Sequence, residues 1–305
     1  MTYDLKLIPK NMPDFGLGQF RALFEGDFRY AIDGVQANYG NEDTEVYFGF
    51  GFCERGKADQ VDTGGSAAQN HLQFEINYMR PNCFGLEAVM ALEQLHAIAE
   101  FEVYDPQFGD GQPKPYSSEV FLRGWQHGNS ASLKVMADDE AAYRLTLPQE
   151  RSDEAWSWNY HSDNLQDRLG GDVFVPKCLL ISAGGAVEAR IAFLWQTYVP
   201  TVVPPMADAI MLADVPEQRR LFGIPVGRKT DGDWRPGLVD RLLFGEDVVI
   251  NRVGGEPGYA VLLSDPKTRS RNADKLFDRA RASAQYAISK CPRDQVLDAD
   301  LMGEG

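Results

Sequence analysis

A cation and a carboxylate, each followed by proline, close two segments of this 305-residue chain: Arg80-Pro81 and Asp105-Pro106. The run that holds both, FEINYMRPNCFGLEAVMALEQLHAIAEFEVYDPQ from Phe74 to Gln107, reads as strand, helix, strand. If the two strands are parallel neighbours, Arg80 and Asp105 share one sheet edge, where open α/β sheets place ligands. Tyr78 and Gln107 would flank them and add hydrogen-bonding capacity. A pair of this kind either orients a ligand or locks two strand ends. The sequence favours the lock, since a partly buried pair is costly to break even when its net worth is small.

Other spacings are less telling. Gly51-Phe-Cys-Glu-Arg-Gly56-Lys57 follows a strand and has the GxxxxGK spacing of a phosphate-binding loop. Ala58 stands where the magnesium-holding hydroxyl belongs, and the following residues lack helical character. His71, His96, His127 and His161 form neither HxH nor HExxH, and Cys53, Cys83, Cys178 and Cys291 are scattered. A metal site or disulfide framework needs closer grouping, so neither a metal nor another cofactor is expected. The cysteines read as small hydrophobes of a reducing compartment. His161-Ser162-Asp163 offers a base and a carboxylate, without the GxSxG elbow of a serine hydrolase. Asp265-Pro-Lys267 resembles one end of a nuclease site and lacks a second carboxylate at suitable spacing. Trp156-Ser-Trp158-Asn-Tyr160 could build an aromatic platform on a strand, but core filling is the reading that burial energetics favours.

The positioning elements follow from periodicity. Tyr3–Ile8 alternates as a strand, Phe20–Phe24 suits a short helix, and Phe28–Ala37 and Glu45–Cys53 read as strands joined by a turn at 38–43. Residues 57–70 read as an exposed loop. In the helix between the two strand ends, Ala88, Ala91, Leu92, Leu95, Ile98 and Ala99 share one face, with Asn82 as side-chain N-cap. A helix is expected from Ser117 or Ser118 and a strand over 141–147, with a domain boundary in the polar stretch 149–153.

Beyond it, strands are expected at 173–182, 188–199, 209–213, 248–253 and 259–263, and short helices at 216–223 and 236–245. An amphipathic basic helix from Arg269 to Lys290 precedes a loose acidic tail. The pattern predicts an α+β protein with largely antiparallel sheets and two domains, 1–150 and 151–305, with a strand–helix–strand unit in the first.

Composition narrows the partners. With 45 acidic and 30 basic residues the net charge is −15, a field that repels nucleic acid and anionic membranes and attracts cationic partners. No stretch approaches the ~18 apolar residues of a membrane span, and the first residues lack the apolar core of a signal peptide. A cytoplasmic protein is expected.

Four motifs, YDLKL at 3–7, EDTEVYFGFGF at 42–52, FEINYMRPNCFGLEA at 74–88 and VYDPQ at 103–107, together resemble a group of bacterial proteins of unassigned activity. That group looks like the immunity or accessory proteins of bacterial toxin systems. The resemblance covers about the first 110 residues and implies a protein that neutralises a cognate toxin without catalysis; the charge of −15 suits a basic one. Two alternatives stand beside it. One is a hydrolase with a dispersed site using Asp105, His127 or His161, and the other is a scaffold component of a bacterial assembly.

Overall fold

The computed structural model describes residues 1–12, 14–55, 69–108, 111–136, 145–183, 186–195, 200–212 and 288–302, with strand segments at 220–221, 224–225, 237–240, 249–253 and 259–262. Two compact units divide the chain: Met1–Ser152 with Arg293–Gly305, and Asp153–Pro292. The class is α+β, with mainly antiparallel sheets. The unit boundary follows Ser152, and the residues after Pro292, expected in a second domain, belong to the first unit.

In the first unit the chain forms β1 (Thr2–Pro9), α1 (Leu17–Phe24), β2 (Tyr30–Asp33), β3 (Gln36–Asn41), β4 (Val46–Cys53), β5 (His71–Asn77), α2 (Cys83–Ala99), β6 (Phe101–Tyr104), β7 (Lys114–Pro115), α3 (Ser118–Met136) and β8 (Leu145–Leu147). Seven strands lie in the order β2-β3-β4-β5-β1-β6-β7. Alternation assigns the faces. Tyr3, Leu5 and Leu7 of β1 and Leu72, Phe74 and Ile76 of β5 point into the core. Aromatic rings knit that face together: Tyr39 stacks on Phe48 at 4.3 Å, and Phe50 and Phe121 lie 5.2 and 5.6 Å from Phe74. The helical face read from the sequence, Ala88, Ala91, Leu92, Leu95 and Ala99, is buried, whereas Ile98 is exposed.

The strand–helix–strand unit is split. β1 runs antiparallel to both β5 and β6 and lies between them, so the two strands are parallel without being neighbours. The first strand also stops at Asn77, short of Arg80. Asn82 begins α2 in a different way from that expected. Its own backbone is helical (φ −52°), its N–H donates to Asp298 Oδ2 at 2.6 Å, and its side-chain oxygen accepts from Gln126 Nε2 at 2.7 Å.

Further departures have local causes. The segment 28–37 is a hairpin, because Asp33-Gly34 is a strong turn signal and Gly34 adopts φ +58°. β3 continues to Asn41, which moves the next turn toward Thr44 and Glu45. Residues 149–153 open a long helix, α4 (Gln149–Leu169), since Pro148 precedes a run of good helix formers. The aromatic group is therefore helical: Trp156 and Tyr160 are i, i+4 neighbours with rings 5.7 Å apart, and Trp156 is buried.

The second unit adds β9 (Cys178–Ala183), β10 (Arg190–Trp195), β11 (Thr201–Val202), β12 (Ala209–Leu212), β13 (Arg220–Leu221), β14 (Ile224–Pro225), β15 (Gly237–Asp240), β16 (Val249–Val253), β17 (Tyr259–Leu262) and β18 (Ile288–Lys290). Its largest sheet has the order β15-β12-β10-β9-β18, and β11-β17-β16 form another. Within the two segments expected as short helices, the described residues 220–221 and 237–240 are strands; β15 satisfies its backbone groups against β12. Most of the expected basic helix, residues 269–287, lies outside the described residues, as does Asp265-Pro-Lys267. Its last three residues pair with β9 as β18.

The tail is anchored where looseness was expected. β19 (Val296–Asp298) pairs parallel to β8, and Val296, Leu297 and Asp298 are fully buried. All four cysteines are free thiols; Cys83, Cys178 and Cys291 are buried and Cys53 is half-buried. Among the described residues, no helix is long and apolar enough to cross a membrane.

One cross-strand pair opposes the fold. Asp4 and Glu75 are register partners of β1 and β5. Burial raises both carboxyls above their ordinary values, and the Asp4 charge raises Glu75 further. The Thr2 hydroxyl and the N-terminal amine pull Asp4 the other way. A carboxyl whose pKa is raised on folding disfavours the folded state once it ionises, so this penalty grows as pH rises through the window between the ordinary and raised values. Acidification removes it. Glu75→Gln is expected to stabilise the protein by about 0.2–1 kcal/mol near neutral pH. That gain should fade in urea titrations at about pH 4. Equal gains at both pH values would place its origin elsewhere.

Candidate functional site

Three of the four residues singled out at the strand ends come together, around a residue the sequence did not single out. Tyr3 in β1 donates its hydroxyl hydrogen to Asp105 Oδ2 at 2.6 Å. Asp105 Oδ1 accepts from the backbone N–H groups of Gln107 and Phe108 at 2.8 and 2.9 Å, fixing the turn after β6. Tyr78 donates to Gln107 Oε1 at 3.2 Å, and Gln107 Nε2 donates to the Thr2 carbonyl at 2.9 Å. The start of β1 is thus sewn to the turn at 105–108. The intervening β1 is why the expected partnership fails: it puts Tyr3, not Arg80, beside Asp105.

Arg80 serves a different cluster. Met79, at φ +60°, turns the chain after β5, and Asn129 of α3 accepts from the Met79 and Arg80 N–H groups while donating to the Arg80 carbonyl. The guanidinium then donates from Nε and Nη2 to the Tyr47 hydroxyl at 3.0 and 2.8 Å. The Tyr47 hydroxyl in turn donates a hydrogen bond to Asp294 Oδ2 at 2.9 Å. Arg80 therefore helps to hold the returning tail.

Burial first, then the hydrogen bond and charge of Asp105, hold the Tyr3 phenol far above its ordinary pKa. Burial, with the charges of Asp105 and Asp4, raises Tyr78 as well. Both stay neutral near pH 7 and act as hydrogen-bond donors. Their hydroxyls press against α3 at Gly124 and Gly128. A Cβ at Gly124 would overlap the Tyr3 hydroxyl, and one at Gly128 would overlap the Tyr78 hydroxyl and ring edge. Residues four apart share a helix face, so this spacing makes a bare strip on which two tyrosines lie. Gly85 of α2 leaves similar room for the fully buried Trp125.

Beside the cluster a cleft of about 330 Å³ opens between β1, β6 and the first half of α3. Tyr3, Asp105, Phe121 and Gly124 lie along it, together with Tyr116, whose phenol burial pushes up to about 12. His127 lines the same cleft, its ring edge-on to Phe108 at 5.2 Å. His161 belongs to the other unit, in a separate cleft with Glu154, Trp158 and Arg168. Its neighbours are engaged locally. His161 Nδ1 lies 2.8 Å from the Ser157 carbonyl, Ser162 Oγ donates to the Asn159 carbonyl, and Asp163 pairs with Lys177 at 2.7 Å. The tripeptide is therefore no relay. Gly51–Cys53 of the GxxxxGK spacing sit inside β4, paired with β3 and β5, and Gly56 and Lys57 lie outside the described residues. Among the described residues no group of three or more His, Cys, Asp or Glu side chains is placed to hold a metal ion.

The chain matches no protein-family model, no curated protein and no solved structure. Its class rests on its own geometry: an α+β protein whose first unit carries a tyrosine–aspartate cluster beside a cleft. Of the residues that build this site, Gly124 and Gly128 left a signal in the sequence, their four-residue spacing. Tyr3 left none, because its role arises from the placement of β1 between β5 and β6.

Proposed function

We propose that this protein works by binding a cationic protein, in the manner of an immunity protein that neutralises a cognate basic toxin. The observation that carries the reading is the charge of −15. Carboxylates at Glu25, Asp33, Glu42 and Glu54 are exposed in β2 and in the segments that flank β2, β3 and β4. Phe28, 97% exposed, precedes β2 in the same unit and offers an aromatic anchor. Such a surface steers a basic partner and speeds its association. The resemblance of the first 110 residues to proteins of toxin systems supports the same reading.

The test is association with a basic toxin encoded beside this chain, followed by kinetics at rising salt. Reversing Glu25, Asp33 and Glu42 to lysine is expected to slow association about tenfold at low salt. Phe28→Ala should speed dissociation, costing about 2 kcal/mol of affinity. Association indifferent to both salt and charge reversal would defeat the reading.

One observation favours a second reading, a hydrolase: Asp105 and His127 line one cleft. Turnover of an ester or amide that disappears in His127→Gln and persists in His161→Gln would support it. Turnover insensitive to His127 would reject it.

A further inference from the structure

The seven-stranded sheet of the first unit ends in two unlike edges, β2 and β7. An unpaired sheet edge templates the pairing of another chain, and proteins blunt such edges with lysine, proline or brevity. β7 has all three, being the dipeptide Lys114-Pro115. β2 is Tyr30-Ala-Ile-Asp33, with neither lysine nor proline. Large apolar side chains stand exposed on either side of it in sequence, Phe28 at 97% and Val35 at 48%.

The register shows which main-chain groups β2 leaves over. Tyr30 lies opposite Tyr39, Ile32 opposite Ala37 and Asp33 opposite Gln36. Just before the strand, Gly40 N–H donates to the Arg29 carbonyl at 2.8 Å, which makes Arg29 and Gly40 a hydrogen-bonded pair of the same ladder. Bonded and non-bonded pairs alternate along an antiparallel ladder. Ala31–Asn38 and Asp33–Gln36 therefore exchange bonds, whereas the N–H and C=O of Ile32 point away from β3 to the open edge. Two other groups near that edge are already used. Tyr30 N–H donates to the Asp27 carbonyl at 3.0 Å, and Arg21 of α1 donates to the Gly34 carbonyl at 3.2 Å. Among the described residues nothing takes the main-chain groups of Ile32.

We propose that β2 is a docking edge, on which an extended segment of a cationic protein partner pairs as a further strand, bonded through Ile32. This inference rests on the reading of the protein as a binder of a cationic protein, and it adds the element and the mode of contact. The two faces of β2 specify the segment. Tyr30 and Ile32 are half-buried on one face, and Ala31 and Asp33 are exposed on the other. Apolar residues of the incoming strand would meet Ile32, and lysine or arginine would meet Asp33. A second copy of this chain is the poorer occupant, because each copy carries a charge of −15 and the two repel.

The probe is an acetylated, amidated octapeptide of alternating lysine and valine, titrated into the full chain by calorimetry. Its control is N-methylated at each valine, which keeps the charge and removes the donors that would face Ile32. The parent peptide is expected to bind saturably, and the control about fivefold to tenfold more weakly. Ile32→Pro removes the edge N–H without touching a bond to β3, and should weaken the parent peptide about fivefold while thermal unfolding stays cooperative. In the unaltered chain, the Ile32 amide should gain protection from hydrogen exchange when the peptide is bound, read by NMR. Equal binding of parent and control, or an Ile32 amide that exchanges equally fast with and without peptide, overturns the docking edge and leaves a cationic partner in place. Absence of saturable binding overturns it as well. Self-association abolished by Ile32→Pro would give the edge to a second copy and would also overturn it. The underlying reading fails on a different result, association with the basic toxin that is indifferent to salt and charge reversal.

Discussion

Glu87→Ala is expected to destabilise the first unit by about 2–4 kcal/mol, read as a fall in the denaturant midpoint with unchanged slope. Glu87 sits in the second turn of α2, 1% exposed, among helix residues that are otherwise apolar. It accepts from the Tyr39 hydroxyl and from Asn41 Nδ2, both at 2.7 Å. Tyr39 in turn accepts from Arg29 Nη1 at 3.3 Å, and Arg29 is clamped by Asp27 at 2.6 Å. The carboxylate thus ends a chain of donors that crosses from the β2–β3 hairpin to α2. Removing it strands a buried hydroxyl and an amide, and leaves a void where two side-chain oxygens stood. Glu87→Gln keeps one acceptor oxygen and should cost about 1 kcal/mol. An alanine variant as stable as the glutamine one would show that the donors find other partners.

The second large effect concerns the bare strip on α3. Gly→Ala inside a helix ordinarily stabilises by about 0.8–1 kcal/mol through backbone entropy. At Gly128 the new methyl meets the Tyr78 hydroxyl and two carbons of its ring, so overpacking, typically about 1–3 kcal/mol, opposes that gain. Because the ring itself is struck, the tyrosine must leave its bond to Gln107, and a net loss of about 2 kcal/mol is expected. Gly124 is more permissive, since its methyl meets chiefly the Tyr3 hydroxyl. Tyr3→Phe removes that oxygen, so Gly124→Ala should cost about 1–2 kcal/mol less in the Tyr3→Phe background. No such relief is expected for Gly128→Ala with Tyr78→Phe, whose ring carbons remain in the way. A cycle with equal coupling at both glycines would contradict this account.

Much of the first unit was legible because its patterns are local. The alternation in Tyr3–Ile8, the apolar face of α2 and the start of α3 depend on residues close in sequence, and the structure follows them. The pairing of strands was not legible. That β1 inserts between β5 and β6 is a long-range choice, and it turned an expected Arg80–Asp105 edge into two clusters, Tyr3–Asp105 and Arg80–Tyr47–Asp294. Asn82 shows the same limit. Its type suits an N-cap, yet a carboxylate 216 residues away takes its N–H. In the second unit, proline and glycine at the ends of 216–223 and 236–245 suggested helices, but a neighbouring strand offered their described residues other hydrogen bonds.

The returning tail has a consequence for how the molecule is made. The strand Val296–Asp298 completes the first unit, and Arg293 Nη1 reaches the Ser152 carbonyl at 3.3 Å, so the first unit is written in two pieces with the second unit inserted between them. A ribosome translating this message produces α2 long before it produces Asp298, the residue that receives the Asn82 N–H. Until then the first unit waits with one seam open, and the inserted unit has its whole sequence available first. Residues 293–298, translated after the whole inserted unit, act as the closing stitch of the unit begun before it.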